Sequence, residues 1–398
     1  MRILNVTESY APFYEFGGPP AKVKALSRGL AERGHDVTVL TADWGVERRI
    51  AGTDGEKKFS RSPFGWAGED RGVKSIYLAT WLRYRATSWN PGIGNFLRAR
   101  IGEFDVAHIF GLYDLLGPAA ASACVRQGVP YVLEPIGMFV PIVRNVRLKR
   151  IYHATFGKRM LTNAARVIAT SQQEIEELAA GGIPREKILL RRNGVTMPET
   201  LSERGVFRRK WGISAADLVV LFLGRLSEKK SPELLLRAFS QIPEKAGTSV
   251  VRLIFAGPDE SGMEARLKNI ARELKVDSRV IFSGAVFEEE KWTAYLDANV
   301  FVLPSQNENF GNTAAEAAAV GTPVIVTENC GVAPLLADGG IVIPHEEGAL
   351  VKALGELLQD EAWRERLGRQ ATAAAGKIGW EEPVRETESL YRKLAEKQ

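Results

Sequence analysis

The fold is decided by the stretch that runs from residue 300 to residue 320 and reads VFVLPSQNENFGNTAAEAAAV. Its first four residues, Val300–Leu303, are all apolar, which is typical of a parallel strand buried on both faces. A polar loop follows, and the alanine-rich segment Thr313–Val320 then predicts a helix. Strand, loop and helix in this order form the repeating unit of a doubly wound sheet, whose ligands bind beyond the carboxyl ends of the strands.

Strands and helices of the same kind alternate over the whole chain. The strands predicted in the first half are Ile3–Thr7, Val37–Thr41, Lys74–Leu78, Val106–Ile109, Tyr131–Leu133 and Val167–Thr170. Those predicted in the second half are Leu218–Leu223, Val250–Ala256, Val280–Ser283, Val300–Leu303, Pro323–Val326 and Ile341–Ile343. Helices are predicted at Pro20–Arg33, Pro232–Ser240 and Gly262–Lys275, among others. The fold class is therefore α/β, with two doubly wound, Rossmann-like domains.

The length of 398 residues suits two domains. A turn at Asn193-Gly194 and the charged stretch Glu199–Lys210 separate the two series of strands. We predict an N-terminal domain over residues 1–198, a second domain over residues 199–378, and a C-terminal helix within residues 379–398. The sequence leaves open whether this helix packs back on the N-terminal domain or on the second domain. The polar, glycine-rich residues 51–72 are interpreted as a loop.

The composition favours a cytoplasmic location, because there are only two, widely separated cysteines, no apolar leader and no apolar run long enough to span a membrane. Residues 1–200 hold 28 Lys and Arg against 19 Asp and Glu, a balance that suits anionic substrates. Basic and apolar residues mix around Arg144, Arg147, Lys149 and Arg150. This segment leaves open a peripheral contact with the inner membrane face or a plain solvated helix. No nucleic-acid partner is predicted.

Two carboxylates flank the start of the helix in the deciding stretch, Glu308 in the loop and Glu316 about one turn into the helix. An ionised carboxylate only accepts hydrogen bonds and can take two hydroxyl donors, which suits the neighbouring hydroxyls of a sugar or a ribose. The helix N-terminus between them, with Asn312 or Thr313 as the N-cap, offers N–H groups to a phosphate. A solvated loop before a helix with an acidic first turn fits the same pattern.

A second loop, from Gly224 to Pro232, follows the apolar strand Leu218–Leu223 and contains Arg225 and Lys230. Arg225 can bind a phosphate through two parallel N–H bonds, and Lys230 adds a compact positive charge. The chain contains no Asp-x-Asp pair, so these cations are predicted to replace a metal, and neither a metal nor another cofactor is expected. A basic surface cluster is the alternative interpretation.

A third loop contains Gly17 and Gly18, which allow a ligand to approach the backbone closely. The dinucleotide fingerprint Gly-x-Gly-x-x-Gly is absent from this position, so an NAD-dependent oxidoreductase is disfavoured. A tight turn would also explain the two glycines.

Together these motifs resemble the family-four retaining glycosyltransferases, the glycosyl transferases group 1. The matching segments occur in order over nearly the whole chain: Gly17-Gly18, Arg33 to Val37, Phe104 to His108, Thr170-Ser171, Arg192 to Val195, Gly224-Arg225 with Lys230, Glu308 to Glu316, and Gly321 to Val324. The resemblance implies the GT-B fold, with two Rossmann-like domains facing each other across a cleft. It also implies a nucleotide-diphosphate sugar as donor and transfer with retention of anomeric configuration.

The resemblance assigns roles to individual residues. Glu308, Arg225 and Lys230 would be the catalytic residues, with the cations on the donor diphosphate and Glu308 on the sugar hydroxyls. Glu316 would bind the ribose. The other residues expected to contact the nucleotide sugar are Gly17, Gly18, Val286, Asn309, Phe310, Gly311, Asn312 and Thr313. Front-face attack by the acceptor hydroxyl is favoured, and Glu308 as a nucleophile is the alternative.

Two segments depart from the family's pattern. Similar sequences often carry His-x-His-Gly and Pro-His-Gly-Met, where this chain has His108-Ile109-Phe110-Gly111 and Pro135-Ile136-Gly137-Met138. Ile136 can neither donate a hydrogen bond nor carry a proton. His108, Glu134 and Gly137 are therefore the candidates for the acceptor or sugar side, although His108 fits an internal structural histidine equally well.

The sequence thus predicts a metal-independent, retaining glycosyltransferase of polysaccharide or glycoconjugate assembly, with a saccharide, lipid-linked or small-molecule acceptor. Two other functions stay open. A sugar-nucleotide 2-epimerase shares the fold but needs acid and base groups in which the first domain is poor. A non-catalytic sugar-nucleotide-binding partner subunit would explain Ile136. The base, the sugar, the acceptor and the oligomeric state are not specified by the sequence.

Overall fold

The computed structural model describes residues 1–51, 58–84, 87–140, 146–259 and 262–396. The chain divides into two units, the first formed by Met1–Asn193 together with Trp380–Gln398 and the second by Gly194–Gly379. The junction thus lies between Asn193 and Gly194, a few residues before the predicted one.

Strands and helices are numbered along the chain. The strands are β1 (Arg2–Thr7), β2 (Asp36–Ala42), β3 (Phe59–Ser62), β4 (Gly65–Asp70), β5 (Val73–Leu78), β6 (Leu82–Tyr84), β7 (Thr87–Trp89), β8 (Val106–Phe110), β9 (Tyr131–Glu134), β10 (Arg166–Ala169), β11 (Ile188–Leu190), β12 (Leu218–Leu223), β13 (Lys245–Ala246), β14 (Ser249–Ala256), β15 (Val280–Gly284), β16 (Val300–Leu303), β17 (Val324–Thr327) and β18 (Gly340–Ile343). The helices are α1 (Gly18–Glu32), α2 (Val46–Ile50), α3 (Ile93–Arg100), α4 (Leu116–Gln127), α5 (Val146–Tyr152), α6 (Lys158–Asn163), α7 (Gln172–Ala180), α8 (Val206–Lys210), α9 (Pro232–Ser240), α10 (Met263–Glu273), α11 (Glu288–Asp297), α12 (Asn312–Ala319), α13 (Glu347–Gln359), α14 (Glu361–Ala375) and α15 (Glu381–Ala395).

The first unit contains a sheet with the strand order β11-β10-β9-β8-β1-β2-β5-β4-β3. Its strands from β11 to β5 pair in parallel, and β3 and β4 add an antiparallel edge. From β1 the chain continues to β2 and β5 on one side and later to β8 and β9 on the other. The order therefore reverses between β1 and β8, which is a topological switch point.

The second unit repeats this plan with the order β13-β14-β12-β16-β17-β18, and β15 also pairs with β14, over residues Leu253 to Ala256. Its pairs are parallel except for the short β13. Here the order reverses between β12 and β16. Each unit is thus a doubly wound sheet, and each has a single reversal point within the described residues.

Both faces of the second sheet are covered by helices, and β12 shows why its sequence is uniformly apolar. All of its residues are buried. Val219 and Leu221 belong to the apolar cluster on one face, and Val220 and Phe222 belong to the cluster on the other. A strand covered on both sides needs apolar residues at every position, so it lacks alternation.

All twelve strands predicted from the sequence are present, with ends within one residue of the prediction. The predicted helices are present as well, with somewhat different ends. The sequence did not predict the strands β3, β4, β6, β7, β11 and β13. These are short or polar, and therefore carry little hydrophobic pattern.

The prediction of a loop over residues 51–72 is wrong for much of its described part. β3 and β4 form a hairpin that extends the first sheet from β5. Trp66 lies opposite Tyr77 in this pairing, and the ring centre of Phe59 lies 5.5 Å from that of Tyr77. Such cross-strand aromatic contacts stabilise a hairpin whose sequence is largely polar. Residues 52–57 of the predicted loop lie outside the described residues.

The C-terminal helix α15 completes the first unit. Its Val384 packs so closely on Gly29 of α1 that a Cβ atom at residue 29 would lie 2.5 Å from Val384 Cγ2. Its Glu388 pairs with Arg33 and His35 at the end of α1. Helix α15 is therefore part of the core of this unit.

Candidate active site

Two loops lie side by side where the second sheet reverses its order. The loop after β12 runs from Gly224 to Ser231, and the loop after β16 runs from Pro304 to Gly311. β12 and β16 are neighbouring parallel strands, so their carboxyl ends meet at the same edge of the sheet. Ligands of doubly wound sheets bind at such an edge. The structure therefore brings together the two loops that the sequence singled out.

Lys230 and Glu308 form an ion pair between these loops. Nζ of Lys230 lies 2.6 Å from Oε2 of Glu308, and the side chains keep 17% and 21% of their surface exposed. Burial raises the pKa of Glu308, but the charges of Lys230, Lys229 and Arg225 outweigh burial and hold that pKa below its ordinary value. Glu308 is therefore an ionised hydrogen-bond acceptor that solvent can still reach.

Backbone hydrogen bonds hold the Glu308 loop in place. The N–H of Gln306 donates to the carbonyl of Lys229 at 3.0 Å, which ties the two loops together. The N–H of Glu308 donates to the carbonyl of Asn329 at 3.0 Å, and the Glu308 carbonyl accepts from the N–H of Gly331 at 2.8 Å. The carboxylate is thus positioned by a rigid support and needs little reordering to act.

Helix α12 begins directly after this loop. Gly311 is its N-cap, with φ of 99°, so the prediction of Asn312 or Thr313 as the N-cap is wrong. A Cβ atom at residue 311 would lie 3.0 Å from Val332 Cγ1, so both the left-handed backbone and the close packing favour glycine. Among the described residues, no side-chain hydrogen bond caps the helix at Gly311. The positive end of the helix dipole lies at this N-terminus, next to the loop.

The remaining predicted donor contacts differ in accessibility. Phe310 and Val286 are 2% and 6% exposed and belong to the same apolar cluster, so a ligand can reach them mainly through their backbone. Asn309 and Asn312 are half-buried in the loop and at the helix start. The Thr313 hydroxyl is buried and has no hydrogen-bond partner within the described residues.

Glu316 points its carboxylate at two partners on α11. Oε1 lies 2.8 Å from Nζ of Lys291, and Oε2 accepts a hydrogen bond from the Tyr295 hydroxyl at 2.9 Å. Burial, together with the charge of Glu316, raises the pKa of Tyr295 well above its ordinary value, so the tyrosine stays a donor. Each carboxylate oxygen can accept a second hydrogen bond, which leaves Glu316 capacity for a pair of hydroxyls.

The loop after β12 begins with Gly224, whose φ is 154°. A Cβ atom here would lie 3.3 Å from Lys230 Cδ, so the glycine leaves room for the lysine side chain. Gly257 packs from the next loop, where a Cβ atom would lie 1.9 Å from the Gly224 carbonyl oxygen. Arg225 is exposed beside this turn. The two glycines thus leave room for the side chains of Arg225 and Lys230 at the same edge of the sheet.

In the first unit, Gly17 is the N-cap of α1 with φ of 90°, and Gly18 is the first residue of that helix. The loop that contains Gly17 follows β1, one of the two strands at the reversal point of the first sheet. Both glycines therefore lie at the equivalent edge of the first unit, as their place after a strand predicted.

His108 and Glu134 belong to a charge cluster that is sealed from solvent. Glu134 pairs with Lys22 and with Arg191 (Oε2 to Nη2, 2.6 Å), and its Oε2 lies 3.5 Å from Nε2 of His108. Nδ1 of His108 lies 2.6 Å from the Tyr391 hydroxyl of α15. Burial raises the pKa of Glu134, but Arg191 and Lys22 outweigh burial and hold it far below its ordinary value. Burial lowers the pKa of His108 to about 4.

The loop after β9 contains Ile136 and Gly137, both in the left-handed region with φ of 55° and 66°. A β-branched residue is rare there, so Ile136 is held in a strained conformation. The N–H of Gly137 donates to Oε1 of the buried Glu174 at 2.6 Å. Of the three residues predicted for the acceptor side, Gly137 is therefore the one that solvent can reach.

Two carboxyl groups at the edge of the first sheet were missed from the sequence. Glu8 follows β1, and Asp114 lies in the loop after β8. Burial, and then the charge of Asp114, raises the pKa of Glu8 to about 9; burial raises the pKa of Asp114 to about 6. The sequence feature that could have identified them is their position in the loops that directly follow two predicted strands.

Within the described ranges, no group of three or more His, Cys, Asp or Glu side chains is arranged to hold a metal ion. No helix in those ranges is long and apolar enough to cross a membrane.

The chain has clear relatives among known proteins. Residues 203–374 match the family "Glycosyl transferases group 1", and residues 17–194 match the "Glycosyl transferase 4-like domain". A D-inositol 3-phosphate glycosyltransferase of Nocardioides sp. is 34% identical over 411 residues, which cover 95% of this chain and 85% of that protein. The chain is a group 1 glycosyltransferase. The family resemblance of its motifs is thereby confirmed.

Solved structures show that this glycosyltransferase has the GT-B fold. Sucrose-phosphate synthase from Thermosynechococcus elongatus matches with a TM-score of 0.76 at 22% identity, over the whole of both chains. The Anabaena protein HepE, solved in complex with UDP and glucose, matches with a TM-score of 0.75 at 18% identity, again over both whole chains. The predicted fold class is confirmed, and the glycosyltransferase uses a nucleotide sugar, as its family does.

Proposed function

We propose that this glycosyltransferase moves a sugar from a nucleotide-diphosphate sugar to an acceptor hydroxyl, with retention of configuration and without a metal ion. The observation that carries the proposal is the Lys230–Glu308 pair, 2.6 Å apart at the reversal edge of the second sheet and beside Arg225. A cation and an ionised carboxylate side by side match a donor that presents phosphates next to sugar hydroxyls.

The cations supply the charge that the reaction requires. Negative charge accumulates on the diphosphate as the glycosidic bond breaks, and fixed positive charge stabilises it in the transition state. The Lys230 ammonium has three N–H donors, so it can keep its bond to Glu308 and add bonds to a phosphate. Arg225 can add a bidentate contact. These two side chains are proposed to take the role that a divalent cation has in other transferases.

Glu308 is proposed to bind the donor sugar as a hydrogen-bond acceptor. Its negative charge is partly neutralised by Lys230, which makes it a weak nucleophile. We therefore favour attack by the acceptor hydroxyl from the face that the leaving group occupies. The acceptor oxygen bonds to the anomeric carbon, the bond from that carbon to the phosphate oxygen breaks, and the leaving phosphate takes the hydroxyl proton. Attack on this face retains the configuration.

Glu316 and the start of α12 are proposed to bind the nucleoside side of the donor. The free acceptor capacity of the Glu316 carboxylate suits the two ribose hydroxyls, and the uncapped helix end suits a phosphate. HepE structures contain UDP and UDP-glucose. We propose a UDP-sugar as the donor on this support.

The acceptor is proposed to belong to polysaccharide or glycoconjugate assembly, and the reaction to take place in the cytoplasm. The Nocardioides relative is named for D-inositol 3-phosphate, which makes this compound the first small acceptor to test. Saccharides and lipid-linked acceptors are the other classes.

The proposal is tested by thermal shift with UDP, GDP and ADP in the presence of EDTA. A ligand at 100 times its dissociation constant adds about 2.7 kcal/mol of stability, which gives a clear rise in Tm. We expect a rise with UDP that disappears in Arg225→Ala and persists in the control Arg369→Ala, at an exposed arginine of α14. The absence of a shift with every nucleotide would contradict the proposed donor site.

Turnover assays test the reaction itself. Release of UDP from a UDP-sugar should depend on the acceptor and continue in EDTA; activity that disappears in EDTA and returns with Mg²⁺ would contradict metal independence. NMR of the product reports whether the anomeric configuration is retained. A UDP-sugar epimerised without any acceptor would point to the 2-epimerase, which the sealed position of His108 does not favour.

A further inference from the structure

The most exposed apolar side chains of the described residues are concentrated in two segments of the first unit. The β6–β7 hairpin and the residue before it carry Trp81, Leu82, Tyr84 and Trp89, which are 73%, 64%, 59% and 49% exposed. The rings of Trp81 and Trp89 lie 5.9 Å apart across the hairpin. Soluble surfaces seldom show so much contiguous aromatic area, and a patch of this kind marks an interaction site.

The second segment is the helical stretch formed by α5, the π-helical turn His153–Gly157 and α6. Its Leu148, Ile151 and Phe156 are 58%, 60% and 46% exposed. Its Arg147 and Arg150 are also exposed, and neither forms an ion pair with a described residue. Apolar side chains spaced three to five residues apart, flanked by arginines, give this stretch an amphipathic outer face.

Contacts around Tyr113 join the two segments into one surface. The Thr87 hydroxyl of β7 donates to the Tyr113 carbonyl at 3.1 Å. The Tyr113 ring centre lies 5.3 Å from that of Tyr152, which lies 5.6 Å from that of Phe156. Nζ of Lys149 lies 5.3 Å from the centre of the Tyr113 ring. The hairpin and the helical stretch are therefore parts of one continuous, mixed apolar and basic surface.

A groove of about 370 Å³ continues this surface between α4 and α6. Its lining is mostly apolar and includes Leu115, Val125, Phe156 and Met160, with the exposed Arg159 among them. Leu115 and Val125 are 42% and 48% exposed. An apolar groove with a guanidinium among its lining residues suits an acyl chain attached to an anionic group.

We propose that this aromatic–basic patch, defined by Trp81, Leu82, Tyr84, Trp89, Arg147, Leu148, Arg150, Ile151 and Phe156, docks the protein on the surface of an anionic lipid bilayer. Tryptophan and tyrosine favour the boundary between acyl chains and headgroups, where one end of the ring is apolar and the other is wet. The arginines are attracted by anionic headgroups. The proposal goes beyond the transfer reaction and does not depend on it.

The positive charge of the patch favours an anionic bilayer as its partner over a second copy of the chain. The described part of the patch contains cations and no carboxylate, so two copies that met through it would bring like charges together. Anionic headgroups complement it. The segment also contains the described members of the basic stretch that the sequence left open between a membrane contact and a solvated helix; Arg144 lies outside the described residues.

Co-sedimentation of the full chain with vesicles tests the proposal. We expect binding to phosphatidylcholine vesicles that contain phosphatidylglycerol, much weaker binding to phosphatidylcholine alone, and weakening by salt. The double variant Arg147→Glu/Arg150→Glu should bind the anionic vesicles at least roughly tenfold more weakly. Arg366→Glu/Arg369→Glu, which reverses two exposed arginines at the same spacing on α14, should bind like the wild type.

Trp81→Ser/Trp89→Ser separates the aromatic contribution from the charge and should also weaken binding roughly tenfold or more. Circular dichroism melts confirm that each variant is folded, and the UDP thermal shift reports the proposed donor site separately. The proposal would be overturned if the folded wild type does not bind anionic vesicles. It would also be overturned if Arg147→Glu/Arg150→Glu binds these vesicles as tightly as the wild type does. Concentration-dependent dimers that vanish in the tryptophan variant, without vesicle binding, would reassign the patch to a self-interface.

Discussion

Each of the two units contains a lysine–glutamate ion pair, and the two pairs differ chiefly in burial. Lys230 and Glu308 keep about a fifth of their surface exposed, and each has capacity for further hydrogen bonds. Lys22 and Glu134 are 2% and 0% exposed, and Glu134 is also bound by Arg191 and close to His108. We therefore propose that the open pair is a ligand site, whereas the sealed pair supports the structure.

Burial determines the role of each pair because it sets the free-energy cost of removing one partner. A carboxylate that solvent can still reach, such as Glu308, can exchange its protein partner for a ligand or for water at little cost. A buried carboxylate that loses its partner is left as an uncompensated charge in an apolar interior. Substitutions in the two pairs should accordingly affect different quantities, activity in the open pair and stability in the sealed pair.

The largest effect is expected for Glu134→Gln. The variant leaves Lys22 and Arg191 without an anionic partner in the interior, and breaking such a buried pair costs roughly 3–5 kcal/mol. Thermal and urea melts should show a large loss of stability, or the soluble yield should fall sharply. Glu308→Gln is the matched control and should change stability by about 1 kcal/mol or less. A Glu134→Gln protein that melts like the wild type would remove the distinction between the pairs.

The next effect is a loss of turnover without a loss of stability. Lys230→Ala and Glu308→Ala should each lower kcat/KM roughly a hundredfold or more, as removal of one transition-state contact does in other enzymes. Their melting temperatures should stay close to that of the wild type. Lys352→Ala, at an exposed lysine of α13, serves as the control for a lost surface charge. Turnover near the wild-type value in either variant would refute the role assigned to that residue.

The buried cluster that contains the sealed pair and His108 should also make the stability of the protein sensitive to acid. Burial lowers the pKa of His108 to about 4, whereas an unfolded histidine titrates near 6.5. The unfolded chain thus takes up a proton first, so the free energy of unfolding is highest above pH 6.5 and falls as the pH drops towards 4, by roughly 3 kcal/mol. Glu134, whose pKa is lowered, adds a loss of the same sign below about pH 4.5. Melts between pH 7 and pH 4 of the wild type and of His108→Gln measure the slope, which should be smaller in the variant.

The smallest effect concerns the nucleoside side of the open site. If Glu316 binds the ribose hydroxyls, the wild type should bind UDP more tightly than 2′-deoxy-UDP, by roughly tenfold. Glu316→Gln should lose most of this preference because a neutral amide oxygen is a weaker acceptor. Titration calorimetry with both nucleotides measures the preference directly. Equal affinities in the wild type would show that Glu316 acts only on Lys291 and Tyr295.

The open pair could be predicted from the sequence because each partner lies in a local pattern. Lys230 and Glu308 both sit in polar loops behind uniformly apolar strands, β12 and β16, and parallel strands bring such loops to one edge. The left-handed N-cap at Gly311 was missed because the polar Asn312 and Thr313 are the usual capping types. The structure shows that packing against Val332 decides in favour of glycine.

The sealed pair could not be predicted in the same way. The residues of this cluster lie on four elements that are far apart in the sequence: Lys22 on α1, Glu134 on β9, Arg191 in the loop after β11 and Tyr391 on α15. No spacing links them. Only the tertiary structure brings them around His108. The surface hairpin β6–β7 was missed for the opposite reason, since its aromatic residues face solvent and do not alternate with polar residues towards a core.

Helix α15 has a consequence for the order in which the protein is made. The first unit consists of residues from both ends of the chain, and Tyr391 and Glu388 of α15 complete contacts with His108 and Arg33. During synthesis on the ribosome, the surface of the first unit that α15 covers therefore stays exposed until the whole second unit has been translated. The second unit, continuous from Gly194 to Gly379, can finish folding first although it is made later.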